Sequence, residues 1–231
     1  MVVKAIEYFR PKTATFENVP GLVQNFKHYL QLVVAELLRM SYQVRVKVLN
    51  SSFYGDPQNR KRLILIAARS DCLLPTMPLP THGHAGGLLP IKTCEDALKL
   101  FENHFPTSKR SSGAVTIHNT VIFNHIIPRH KFDQEKDSQL TRDKPSQTIL
   151  ARSRPFLHYS GKRFISVREA ACLQSFPVSY RFFGSITNQY SQVGNAVSVQ
   201  MATAIARSVA VVLDVLAKHY GLRQGYNGAI K

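Results

Sequence analysis

The apolar positions of the first 42 residues predict a strand followed by a helix. The run 13–16 (TATF) has the β-propensity of a short strand, and Pro20-Gly21 marks the turn after it. Apolar residues then recur at helical spacing over residues 22–42, opposite a polar face. The predicted buried stripe of this helix consists of Leu22, Phe26, Leu30, Val33 and Leu37.

Two more strands are predicted after this helix. Residues 44–48 alternate between apolar and polar, which predicts a half-buried strand. Residues 63–68 (LILIAA) form a continuous apolar run, which is typical of a strand covered on both faces. The order strand, helix, strand, strand is typical of a doubly wound α/β sheet.

The pattern changes after residue 71. Prolines at positions 75, 78, 80 and 90 and the pair Gly86-Gly87 interrupt any periodicity, so residues 72–165 are predicted to be rich in loops, with short strands. Helical patterning returns at residues 167–174 and 197–220. The sequence therefore predicts a loop-rich insert between two parts of an α/β core.

Composition adds a partner class to this picture. The chain has 231 residues, of which 44% are hydrophobic, and a formal net charge of +16. It can therefore bury a core, and its charge favours a polyanion, either nucleic acid or an anionic membrane surface. The basic residues are spread over the chain, which favours a folded surface that meets a polyanion over a basic tail; a merely soluble basic surface is the alternative.

Cysteine usage and the N-terminus indicate a compartment. Cys72, Cys94 and Cys172 are too few and too scattered for a disulfide framework, which favours a reducing environment. The N-terminus lacks the apolar run of a signal peptide, and no stretch is expected to span a membrane. We expect a soluble intracellular protein without a membrane partner, nuclear if the source is eukaryotic.

Glu17 and two arginines are the first candidates for chemistry. Glu17 follows a predicted strand directly, and in doubly wound folds the carboxyl ends of strands face the active crevice. Its carboxyl group can hydrogen-bond the edge of a base, or it can simply cap the following turn. Arg60 and Arg62 lead into the buried strand and fall on one side of it, where guanidinium groups suit a phosphate or a base carbonyl. A solvated run of charges at an edge strand is the alternative.

Two further motifs belong to predicted helices. Ser166 and Glu169 have the spacing of a capping box, whose role is architectural. The segment 192–197 (QVGNAV) is expected to open the last helix, where its glycine allows close backbone approach and exposed N–H groups can meet a ligand. The alternative is a plain helix cap.

Together, FENV, YGDPQNRKR, SVREAACLQSFP and QVGNAV resemble the C-terminal part of the cytosine-5 DNA methyltransferase family, in the family's order. Residues 143–149 are similar to the stretch that precedes the REA helix in that family. The resemblance covers residues 5 to 215. It implies a partial doubly wound, Rossmann-like methyltransferase sheet with a loop-rich, mostly β target-recognition insert. The implied parts are a catalytic half (1–71), a target-recognition region (72–165) and C-terminal helices that return to the core (166–231).

The resemblance also implies roles for individual residues. Glu17 matches the glutamate that hydrogen-bonds a flipped cytosine, and Arg62, together with Arg60, matches the arginines that contact the base and hold the active-site loop. The segment Asn195, Ala196 and Val197 matches the one that closes over S-adenosyl-L-methionine, the methyl donor; no metal is expected. The candidate contacts to double-stranded DNA are Arg142, Lys144, Arg152, Arg154, Lys162 and Arg163.

Two hallmarks of the family are absent from the sequence. It contains no Pro-Cys, which presents the nucleophilic thiolate, and no Gly-rich cofactor loop after a first strand. None of the three cysteines is expected to be a nucleophile. Such a chain would begin in the helix before the family's fifth strand and leave the strand 13–16 with an unpaired edge.

Several readings follow from these absences. The chain is a fragment of a longer methyltransferase or the second subunit of a split enzyme, inactive without a complementary N-terminal half. A non-catalytic basic DNA-binding module or regulatory subunit is the alternative from another class, and tRNA is the alternative substrate. Ser198 also departs from the family, since many relatives carry proline there.

Overall fold

The computed structural model describes residues 2–102, 113–117, 120–124, 138–152 and 156–219. The chain divides into two compact units. Among the described residues, the first unit contains 2–49, 62–79 and 203–219, and the second contains 50–61 together with the described part of 80–202. The three-part division at residues 71 and 165 stays a prediction.

Helices and short strands alternate through the described chain. The helices are α1 (Val2–Phe9), α2 (Gly21–Gln24), α3 (Lys27–Arg39), α4 (Cys94–Glu102), α5 (Val167–Leu173), α6 (Ile186–Asn195) and α7 (Val199–His219). The strands are β1 (Thr13–Asn18), β2 (Tyr42–Asn50), β3 (Lys61–Arg69), β4 (Gly113–Ile117) and β5 (Thr120–Asn124), and a 3-10 turn covers Ser51–Tyr54.

The first unit is built on a three-stranded sheet in the order β1-β3-β2. β1 and β3 run antiparallel, with Thr13 opposite Ala68 and Asn18 opposite Leu63. Every residue from 63 to 68 is at most 1% exposed, which confirms the expectation of a strand covered on both faces. Within the described residues β1 forms one edge of this sheet, as the unpaired edge expected from the motif order requires.

Two local predictions in the first unit need correction. The helix predicted over residues 22–42 is broken, because Phe26 has a non-helical backbone (φ −130°, ψ 36°) and separates α2 from α3. Phe26 is 56% exposed and does not join the buried stripe. In β2, Val46 and Val48 are about two fifths exposed rather than buried, since the strand lies at the other edge of the described sheet.

The second unit packs around a different apolar cluster. Leu98 of α4, Ile149, Ile165, and Tyr190 and Val193 of α6 are fully buried in it. α4 and α6 were not predicted, because short helices that bury only a few residues each leave little periodicity in a loop-rich sequence. The predicted short strands are represented by β4 and β5, which pair antiparallel.

The two predicted helix-boundary motifs have different outcomes. The capping box is confirmed: the Ser166 hydroxyl accepts from the Glu169 N–H and the Glu169 carboxylate accepts from the Ser166 N–H. The prediction that 192–197 opens the last helix was wrong. Asn195 ends α6, Ala196 is extended, and the last helix, α7, begins only at Val199.

α7 also corrects the expectation about membrane spans. Residues 199–218 are long and apolar enough to cross a membrane by length and composition, and only 22% of that window is buried. One such helix is weak evidence, because a helix of a soluble core passes the same test. Val212 and Leu216 of α7 pack with Ala68 and Cys72 in the first unit.

Candidate functional site

The first candidate is an ion pair at one end of the sheet in the first unit. The Arg62 Nε lies 2.8 Å from the Glu17 Oε1, which ties the end of β1 to the beginning of β3. The Glu17 side chain is 30% exposed and the Arg62 side chain 11%. Burial lowers the pKa of Arg62 and the Glu17 charge opposes that shift, so the guanidinium stays charged. A carboxylate held this way keeps a free face toward solvent.

Glu17 does not serve as the cap that was its alternative role. The turn after β1 is capped by the neighbouring residue instead, since the Val19 N–H donates to Asn18 Oδ1 at 2.8 Å. Pairing with Arg62 leaves Glu17 at the carboxyl end of its strand, the position from which doubly wound folds contact ligands.

Arg60 is placed differently from Arg62. It is 2% exposed, and its guanidinium donates to the carbonyl oxygens of Ile149 (3.1 Å) and Gly194 (2.8 Å) within the second unit. Such a group fixes backbone rather than offering donors to a ligand. The two arginines, two residues apart in sequence, therefore have different partners: Arg62 contacts the candidate carboxylate, and Arg60 contacts two backbone carbonyl oxygens.

Gln58, from the same loop, was missed by sequence reasoning. It is fully buried, its side-chain oxygen accepts from the Ile149 N–H at 2.9 Å, and its side-chain nitrogen donates to the Leu173 oxygen at 3.4 Å. The signal was available, because a glutamine two residues before the first arginine of a loop that folds against other segments can satisfy both backbone N–H and C=O groups.

The segment predicted to close over the cofactor is the junction between α6 and α7. Asn195 is exposed, and Ala196 and Val197 are half-buried, so a ligand can reach all three. Gly194 confirms the close approach expected of it: a Cβ there would collide with the backbone of Leu150 and Ala151. Gln174 also holds this junction, because its buried side chain donates to the Val193 oxygen.

The predicted DNA contacts divide by exposure. Lys144 and Lys162 are exposed, and Arg152 is half-buried. Arg142 is exposed, pairs with Glu95 at 2.9 Å and lies over the Tyr159 ring at 5.5 Å. Arg154 lies outside the described residues.

Arg163 has a structural partner. It is 4% exposed, and its two terminal nitrogens each contact a Glu169 oxygen at 2.7 Å. Burial alone would raise the pKa of the fully buried Glu169, but the bonds from Arg163 outweigh it and the pKa is lowered. Arg163 cannot reach a phosphate without breaking this pair, so its role in this structure is structural rather than a DNA contact.

The cysteines carry no sign of activation. Burial raises the pKa of all three thiols, to about 12 for Cys94 and Cys172, so the reactive thiolate is disfavoured at each. Among the described residues, no cluster of three histidine, cysteine or carboxylate side chains could hold a metal ion.

Comparisons with known proteins show what this chain is similar to. A family model described as C-5 cytosine-specific DNA methylase matches residues 1–210. Type II methyltransferase M.AplI of Arthrospira platensis is 32% identical over 226 residues, which cover 92% of this chain and 60% of that protein. Type II methyltransferase M1.HphI of Haemophilus parahaemolyticus is 31% identical, with 90% of this chain and 59% of that protein covered. The chain thus spans about three fifths of the length of these curated relatives.

Solved structures confirm the fold class. A DNA modification methyltransferase encoded within an E. coli prophage superposes with a TM-score of 0.71 at 19% identity, covering 92% of this chain and 72% of that one. The S. pombe Dnmt2 methyltransferase gives a TM-score of 0.52 at 14% identity, covering 89% and 67%. At these identities the likeness concerns the fold alone.

Proposed function

This chain belongs to the C-5 cytosine-specific DNA methylase family, and from that premise we propose that it is the C-terminal part of an S-adenosylmethionine-dependent DNA cytosine-5 methyltransferase. The observation that carries the proposal is the Glu17–Arg62 pair. It holds a partly exposed carboxylate at the carboxyl end of β1, at a position matching the family's base-binding glutamate.

Glu17 and Arg62 have distinct tasks in this proposal. A cytosine taken out of the base stack presents its Watson–Crick edge, and the free oxygen of Glu17 hydrogen-bonds that edge and helps move a proton at it. Arg62 orients Glu17 through the 2.8 Å contact. Because the Arg62 side chain is nearly buried, Arg62 stays in place when the cytosine replaces solvent at the Glu17 carboxylate.

The residues at the α6–α7 junction fit the methyl donor. Asn195 offers an exposed amide, and Val197 a half-buried apolar surface, on a backbone fixed by Arg60 and Gln174. S-adenosylmethionine supplies the methyl group when bound. The task of this chain is to hold one side of the donor through residues 195–197.

The nucleophile is the part this sequence does not offer. It contains no Pro-Cys, and its three thiols are disfavoured as thiolates. We therefore propose that the reaction needs a complementary N-terminal half, supplied by the same gene or by a separate subunit.

An apolar groove in the first unit supports that partner. The groove has a volume of about 610 Å³ and is lined by α1, β1 and α3, including Ile6, Phe16 and Leu37. Phe9 of α1, which also lines the groove, is 74% exposed. β1 is the edge strand of the described sheet, so a further strand with an apolar face would both pair with it and cover the groove.

Complementation tests the proposal. The 231-residue chain is mixed with a polypeptide that carries the Gly-rich loop and Pro-Cys, and transfer of labelled methyl groups to duplex DNA and to tRNA is measured. We expect transfer to DNA from the mixture, none from this chain alone, and a loss of at least about 100-fold with Glu17→Gln. Glu36→Gln, at an exposed glutamate paired with Arg39, is the control and should leave the rate unchanged. Full transfer by the Glu17→Gln mixture would refute the role of Glu17.

A non-catalytic DNA-binding module is the second candidate, favoured by the exposed Lys144 and Lys162. It predicts salt-dependent binding to duplex DNA that survives Glu17→Gln and weakens with Lys144→Ala and Lys162→Ala. A preference for tRNA over duplex DNA in the transfer assay would change only the proposed substrate.

A nucleic-acid substrate implies a protein inside the cell; a nuclear location stays a prediction.

A further inference from the structure

Asp56 carries a carboxylate that is enclosed in the second unit. No cation is among the groups that shift its pKa. Asp56 follows the 3-10 turn Ser51–Tyr54 and is 0% exposed. Its Oδ1 accepts from the Gln200 N–H at 3.4 Å and its Oδ2 from the Met201 N–H at 3.3 Å. Both donors lie in the first turn of α7, about 145 residues further along the chain.

These two bonds complete the first turn of α7. The opening N–H groups of a helix have no partner inside it. Here the Val199 N–H donates to the Gln174 oxygen at 3.1 Å, and the Ala202 N–H reaches the Ser198 oxygen at 3.0 Å. Asp56 accepts from the two N–H groups between them. Asp56, which lies far from α7 in sequence, therefore caps the N-terminus of α7, the helix that follows the cofactor segment.

The surroundings of Asp56 disfavour the charged carboxylate that forms this cap. Burial raises its pKa to about 6, and the hydroxyls of Ser175 and Ser198 and the two N–H groups only partly offset that shift. Tyr54 in the same loop has a raised pKa and stays neutral. On α5, Arg168 donates to two carbonyl oxygens, Glu169 pairs with Arg163, and the Cys172 thiol is protonated.

No charge on α7 offsets this burial either, because no charged residue of α7 precedes Arg207. A carboxylate buried at such a cost calls for a purpose beyond stability.

Building on the proposed function, we propose that Asp56 is a positioning residue for S-adenosylmethionine binding: by capping α7, it fixes the turn 196–198 and so the segment Asn195–Val197 that contacts the donor. Gln174 and Arg60 hold the α6 side of the same junction. Asp56 holds the α7 side. Loss of the Asp56 carboxylate therefore loosens the first turn of α7 without removing any group that touches the donor.

Hydrogen exchange in the isolated 231-residue chain tests the cap. With Asp56→Asn, one acceptor is replaced by a donor, and we expect peptides covering residues 196–202 to exchange about five- to tenfold faster, the size of one lost helix cap. Asp71→Asn, at an exposed aspartate paired with Arg69, is the control and should leave these peptides unchanged. An opening that exposes Asp56 returns its pKa toward 3.8, so in the wild-type chain the same peptides should exchange more slowly as the pH falls from 7 to 5, after correction for intrinsic rates, and in Asp56→Asn they should not.

Kinetics of the complemented enzyme test the link to the donor. Asp56→Asn should raise the KM for S-adenosylmethionine about five- to tenfold, while kcat and the KM for DNA change less than about twofold. Unchanged exchange over 196–202 would overturn the cap, and an unchanged KM for the donor would overturn the positioning role. An inactive wild-type mixture would instead count against the proposed function, and the exchange data would still decide the cap.

Discussion

Two arginine–glutamate pairs in this molecule use the same chemistry for different ends. In the second unit, Arg163 and Glu169 form two contacts of 2.7 Å and are at most 4% exposed. In the first unit, Arg62 and Glu17 share one contact of 2.8 Å, and the carboxylate is 30% exposed. The first pair has no face left for a ligand, while the second has one.

The difference shows what separates a structural ion pair from a site. Both Glu169 oxygens accept hydrogen bonds, from Arg163 and from the Ser166 N–H, so the pair holds the beginning of α5 in place. Glu17 keeps an oxygen available at the end of a strand. Burial makes the first pair costly to break, because removing one partner leaves an unpaired charge in the interior. Exposure makes the second cheap to break but able to meet a substrate.

Neutralising each glutamate gives the largest expected contrast. Glu169→Gln leaves the buried Arg163 without a counter-charge and should lower the free energy of unfolding by about 3–5 kcal/mol. Glu17→Gln should lower it by less, about 1–2 kcal/mol, because position 17 is partly exposed and the glutamine oxygen can still accept from Arg62, although Arg62 itself is nearly buried. Urea denaturation of the 231-residue chain measures both. Equal losses would mean that the two pairs do not differ as their burial indicates.

The sequence pointed to the members of the two pairs for different reasons, and it predicted neither pairing. The spacing of Ser166 and Glu169 is a local signal, and it predicted the capping box correctly. The same spacing says nothing about Arg163, whose burial depends on how the chain before α5 folds back onto it. Arg163 was accordingly taken for a surface contact. Glu17 was found because it follows a strand and matches a family motif, while its pairing with Arg62 depends on the β1–β3 register.

The fold shows the same limit. A continuous apolar run such as residues 63–68 by itself indicates a strand that is buried on both faces, so β3 was predicted accurately. The junction at residues 192–197 was misread because Gly194 and Asn195 suit the end of one helix as well as the approach to the next. What decides it is tertiary: Gly194 abuts the backbone of Leu150 and Ala151, a contact that the local sequence does not encode.

The pH dependence of stability separates buried carboxylates with and without a cation. The pKa of Asp56 is raised from 3.8 to about 6 by burial. Its stabilising contribution is therefore fully present below the unfolded-state pKa and is lost as the pH rises through 6, a change of about 2–3 kcal/mol between pH 4 and 7. Asp56→Asn should remove this dependence, which urea denaturation at several pH values measures.

Glu169 should act with the opposite sign. Its pKa is lowered below 4.5 in the folded chain, so its contribution is present above the unfolded-state value and is lost as the pH falls through the folded one. The acid limb of the stability curve should therefore flatten in Glu169→Gln and stay steep in Asp56→Asn. If both variants flatten the same limb, the environments of the two carboxylates are not opposite.

Replacing each arginine by lysine gives the smallest contrast. Arg163 makes two parallel bonds that a single ammonium group cannot reproduce, so Arg163→Lys should lower the free energy of unfolding by about 1–2 kcal/mol. Arg62→Lys keeps the charge and can keep the single contact to Glu17, so we expect a loss below about 0.5 kcal/mol. Urea denaturation measures both losses. A larger loss for Arg62→Lys than for Arg163→Lys would show that Arg62 holds the sheet as well as its carboxylate, and that Glu17 rests on a scaffold rather than on a replaceable charge.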